Sequence, residues 1–124
     1  MKKRKPVHIA IDFDKTLAYH ESEWGVTKVG SVIKQTYDNL ACWLRAGHKI
    51  TIFTSRVAEG FFTSEQIKQS KDDIRKFLLE HGLPTDLPIT AVKDPTFSHI
   101  LDDRAYNVSP NVGDLVPYPD DLLC

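Results

Sequence analysis

At 124 residues the chain is long enough for one hydrophobic core and too short for two. Hydrophobic residues at 41% and charged residues at 27% fit a globular domain and exclude a disordered one. With 16 basic and 17 acidic residues the net charge is −1, so no broad basic field suits wholesale adhesion to nucleic acid or membranes.

Lys2-Lys3-Arg4-Lys5 is the one basic run, and residues 1–6 read as a solvated N-terminal tail. No apolar stretch of signal-peptide or membrane-spanning length follows it. Residues 7–13, Val-His-Ile-Ala-Ile-Asp-Phe, form a short β-rich run that is apolar almost to its end. Such a run suits a central strand of a parallel sheet. Residues 17–30 are polar and aromatic and read as a flap, centred on about 18–29. Val32, Ile33, Tyr37, Leu40, Ala41 and Leu44 then recur at helical spacing until Gly47 stops the helix. A second strand covers 49–54. A second helix starts at about Thr63 or Ser64, with Ile67, Ile74, Phe77 and Leu78 as its apolar stripe, and closes at His81-Gly82. Short strands follow at 88–92 and 98–101, and 108–124 reads as a final edge strand and coil. Cys42 is read as core filler and Cys124 is the last residue. Neither suggests a disulfide framework, and a cytoplasmic chain is expected.

Strand, helix, strand, helix, strand predicts one α/β domain: a three-layer, Rossmann-like parallel sheet with helices on both faces. Ligands of such sheets bind beyond the carboxyl ends of the strands. Those ends carry Asp12 and Asp14, then Thr54-Ser55-Arg56, then Lys93, then Asp102-Asp103. Two like charges about 4 Å apart repel by roughly 4 kcal/mol at an effective dielectric near 20. The carboxylates therefore call for a cation, and a magnesium ion suits oxygen ligands that are shared with a phosphate group. A carboxylate can attack phosphorus, and a second one can move the proton of the leaving group.

Asp12-Phe13-Asp14-Lys15-Thr16 after an apolar strand resembles the first motif of the haloacid dehalogenase (HAD) superfamily, Asp-x-Asp-x-Thr. Thr54, Lys93 and Ile100-Leu101-Asp102-Asp103 resemble its second, third and fourth motifs, in family order. The resemblance implies Asp12 as nucleophile, and Asp14 as general acid/base that also lends its backbone carbonyl to the metal. It implies Thr54 and Lys93 as phosphate ligands, Asp103 as a magnesium ligand, and Asp102 as a ligand or its support. Thr16 would orient the loop around Asp14, while Lys15, Ser55 and Arg56 are candidates for substrate contact or support. Lys15 stands where the family usually has Gly, and between Lys93 and Ile100 there is no room for the usual helix. No cap domain fits between the motifs, so the expectation is a capless member whose flap, or a lid from a second copy, gates the site.

The expected activity is magnesium-dependent hydrolysis of a phosphate monoester through an aspartyl-phosphate. The Leu-Asp-Asp-Arg ending at Arg104 is similar to that of superfamily nucleotidases and polynucleotide-end phosphatases. A nucleotide or nucleic-acid end is therefore the narrower alternative to a small phosphorylated molecule. From other classes, a receiver-like phospho-aspartate domain and a catalytically inactive binding module also stand as readings. In a receiver, however, the acidic pair follows the first strand, and here it comes last.

Overall fold

A computed structural model of the chain describes residues 5–20, 29–117 and 122. Four strands, β1 (His8–Ile11), β2 (Lys49–Phe53), β3 (Ile89–Thr90) and β4 (His99–Leu101), form one parallel sheet in the order β3-β2-β1-β4. Helix α1 (Lys34–Arg45) joins β1 to β2, and α2 (Ser64–Glu80) joins β2 to β3. This is a mixed α/β fold with a parallel sheet, as the strand–helix alternation predicts.

The register explains which side chains meet. Ile9 pairs with Ile50 and Ile11 with Ile52, and Ile52 pairs in turn with Ile89. Alternation along each strand sends this set to one face. There it joins Leu40 and Trp43 of α1 and Ile74, Phe77 and Leu78 of α2 in a single core. Two right-handed crossovers that step the same way along a sheet must lie on the same side of it.

The expectation of helices on both faces is therefore corrected. Among the described residues both helices cover one face. The step from β3 to β4 reverses direction and skips two strands, so it must cross the opposite face. Residues 91–98 make that crossing as a loop, with Phe97 edge-on to His8 (ring centroids 4.7 Å) and to Phe53 (5.6 Å). His8 anchors the loop further, its ring bonding Thr96 Oγ1 at 2.8 Å and Thr51 Oγ1 at 2.7 Å.

Local signals place the helix ends. Thr63 and Gln66 form a reciprocal capping box at the start of α2. Gly47 (φ 89°) and Gly82 (φ 69°) adopt the left-handed conformation just after each helix. Trp43, expected in the core, is buried and donates its indole N–H to the Leu122 carbonyl at 2.7 Å. Cys42, expected as filler, is disulfide-bonded instead.

Residues 108–117 do not extend the sheet as an edge strand. They fold back on themselves through a Val108–Leu115 antiparallel bridge, turned by Asn111 and Gly113 at positive φ. Of the expected flap, residues 21–28 lie outside the described residues. Its base is core, because Leu17 and Ala18 are fully buried and Ala18 bridges to Val32. Of the tail, residues 1–4 also lie outside. No described helix is long and apolar enough to cross a membrane.

Candidate metal centre

The chain steps outward from β1 through β2 to β3, then returns to place β4 on the other side of β1. The reversal opens a crevice beyond the carboxyl ends of β1 and β4, where ligands of open α/β sheets bind. Both strands end there in aspartates.

The β1–β4 ladder runs one bond past the strands: the Asp12 N–H donates to the Leu101 carbonyl at 2.8 Å. That bond sets Asp12 beside Asp102 and Asp103. One carboxylate oxygen from each of the three lies within 4.8 Å of the others. Asp12 is buried, Asp102 half-buried and Asp103 exposed, so the group opens to solvent on one side. Asp102 Oδ1 is steadied by the Arg104 N–H at 2.9 Å, and Asp12 Oδ2 accepts from the Thr16 hydroxyl at 3.3 Å.

Three carboxylates this close need positive charge. In the metal-free chain a proton on Asp12 is favoured in its place. Burial first, then the charge of Asp102 and a hydrogen bond shared with Asp103, push the Asp12 carboxyl up to about 7, against a lowering bond from the Phe13 N–H. The arrangement fits a metal ion as well, and the all-oxygen donor set suits a hard one.

Asp14 does not join the trio. Both its oxygens accept from Arg56, from Nε at 2.7 Å and Nη2 at 2.8 Å. Arg56 is 3% exposed, and its guanidinium also lies over the Phe13 ring at 5.8 Å. The two carboxylates expected to act together thus have different neighbours: Asp12 faces acids and Asp14 faces a cation. The reason is geometric. Residues 13–18 leave the strand in a tight turn, with Leu17 and Ala18 N–H groups both donating to the Phe13 carbonyl at 2.9 Å. Alternation along a strand no longer governs Asp14.

The same turn accounts for Lys15, whose φ of 66° is the left-handed conformation in which glycine is at ease. Lys15 is exposed, and so is Ser55, which opens a 3-10 turn over Ser55–Val57. Thr54 is buried at the end of β2, and its Oγ1 accepts from the Arg56 N–H at 3.2 Å. The hydroxyl keeps its proton to donate elsewhere. Thr16, expected to orient the loop around Asp14, bonds Asp12 instead.

Lys93 is exposed on the turn after β3 and lines a cavity with His8, Lys49 and Phe97, of which no member of the trio is a wall. Sequence reasoning offered Arg56 as a substrate contact and missed it as the partner of Asp14. A signal existed: parallel pairing sets the ends of β1 and β2 side by side, and Arg56 is the one cation in the first turn past β2. No protein-family model, curated protein or solved structure matches the chain.

Proposed function

We propose that the chain is a magnesium-dependent phosphohydrolase that cleaves a phosphate monoester through an aspartyl-phosphate on Asp12. The observation that supports this reading best is the cluster of Asp12, Asp102 and Asp103 at the crevice between β1 and β4. The resemblance of four segments to the haloacid dehalogenase motifs adds to it, and no cap domain stands among the described residues.

In this reading Asp12, Asp102 and Asp103 would hold the ion, and the Asp14 backbone carbonyl would add to them. Magnesium held there would take the place of the proton favoured on Asp12 in the metal-free chain, and would screen the substrate's charge from the carboxylates. The Asp12 oxygen attacks phosphorus as the ester P–O bond breaks. The departing oxygen takes a proton from Asp14. A water then attacks the same phosphorus, gives its proton to Asp14 and releases phosphate, which restores the Asp12 carboxylate. The Thr54 hydroxyl would donate to one phosphoryl oxygen, whereas Lys93, which lines a separate cavity in the resting chain, would have to turn out of it to reach another. Both oxygens of Asp14 accept from Arg56 in the resting chain, so proton transfer requires at least one of those bonds to yield to the substrate.

The test is release of phosphate from p-nitrophenyl phosphate with and without magnesium. Asp12→Asn should abolish the magnesium-dependent rate while the circular dichroism spectrum stays that of the parent. Turnover equal to the parent's would remove the nucleophile from the scheme.

A further inference from the structure

The sheet face opposite the helices holds a second concavity, lined by no member of the acidic trio and, Lys93 apart, by no residue of the chemistry above. It is a cavity of about 430 Å³ whose walls include His8, Lys49, Thr51, Lys93 and Phe97. Its origin lies in the topology. The β3–β4 crossing is a loop rather than a helix, and it is pinned to the sheet near its end by Thr96 and Phe97. Space remains between the sheet and the first half of the loop.

The lining has a definite chemistry. At the floor, His8 is buried and both its ring nitrogens are engaged, by Thr51 and Thr96, so the polar base is fixed in place. Burial first and then the charge of Lys49 lower the His8 pKa, against a smaller raising effect of Asp94. Among the described residues neither Lys49 nor Lys93 is within salt-bridge distance of a carboxylate. Asp94 is the one acid in the lining, and its Oδ1 already accepts from the Thr96 N–H at 2.7 Å and the Thr96 hydroxyl at 2.8 Å. Pro88, Pro95 and the Phe97 ring supply apolar walls. A concave space of a few hundred Å³ with apolar walls and a few polar groups is the usual build of a small-molecule site. Two lysines at its rim select for negative charge.

We propose that this cavity binds a small organic anion, with its carboxylate or phosphate between Lys49 and Lys93 and its apolar or planar body against Phe97 and the prolines. The site stands apart from the hydrolytic reading, because nothing in it requires Asp12 to act as a nucleophile.

The experiment is a heteronuclear NMR titration of the metal-free full chain with phenylphosphonate, and separately with benzoate, neither of which carries a hydrolysable ester. Saturable shifts at His8, Lys49, Thr51 and Phe97 with one common constant are expected. Comparing the two probes shows which anion the lysines prefer. Neutral benzyl alcohol should give no saturable response. Lys49 is varied because Lys93 is assigned to the phosphoryl group above. Lys49→Ala should weaken binding about ten-fold, the scale of one charge-assisted contact, whereas Lys49→Arg should retain it. An unchanged spectrum away from the cavity verifies the fold of each variant. Any of three results would overturn the proposal: shifts confined to the surroundings of Asp12, non-saturating shifts spread over surface lysines, or equal affinity in Lys49→Ala.

Discussion

At the scale of single residues, the opposed surroundings of Asp12 and Asp14 yield two predictions. The Asp12 pKa is 3.8 in an ordinary setting and about 7 in the folded chain. Between those values the folded state holds a proton that the unfolded state has released. Stability of the metal-free protein therefore falls as pH rises from about 4 to 7, and levels off above. Asp12→Asn removes the group that titrates, so it should flatten that slope and raise the melting temperature at pH 8, by roughly 4 °C for each kcal/mol recovered. A variant that melts lower than the parent at pH 8 would contradict the crowding of charge around Asp12. Arg56 tests the other carboxylate. Arg56→Met strips both donors from Asp14 and leaves it half-buried without a partner, which should cost about 2 kcal/mol by urea denaturation. Arg56→Lys keeps the charge but loses the two-pronged geometry, and should recover less than half of that.

At the scale of elements, the crossing over residues 91–98 carries more than a connection usually does. It leads from the Lys93 turn to β4, and so fixes the aspartates that follow β4. Its hold on the sheet is the Phe97 ring between His8 and Phe53, together with Thr96 on His8. Phe97→Ala should cost about 2 kcal/mol through lost ring contacts and half-buried area. It should also weaken binding of magnesium, read by calorimetry, because β4 is no longer pressed into register with β1. The capping box of α2 gives a contrast. Thr63→Ala should cost about 1 kcal/mol and leave metal affinity unchanged, since Thr63 supports the helix and touches nothing at the crevice. If both variants lowered metal affinity equally, general loosening rather than the crossing would be the cause.

For the whole molecule, the trio links folding to metal. A cation that binds only the folded chain stabilises it by about 2.7 kcal/mol at a hundred times its dissociation constant. Adding magnesium at pH 8 should thus raise the melting temperature by roughly 10 °C, at the same conversion of about 4 °C per kcal/mol. The shift should be lost in Asp103→Asn, whose carboxylate is the exposed member of the trio. A magnesium shift of equal size in that variant would place the ion elsewhere.

The sequence alone determined the parallel α/β plan, the position of each strand and helix within a few residues, and the strand ends at which acids collect. Those features are local: apolar runs, helical spacing, capping residues and glycine stops act over a turn or two. Even the departure at Lys15 marks a real feature, a left-handed turn that glycine usually fills. What only the tertiary structure decided depends on contacts between distant segments. Topology set both helices on one face, because the order of the strands fixes the side on which each crossover lies. Packing turned Asp14 to Arg56, 42 residues away, and left Asp12 to Asp102 and Asp103. Charge spacing in a sequence shows that carboxylates will gather. Which of them end up facing a cation, and which need one, follows from where the backbone leaves each strand.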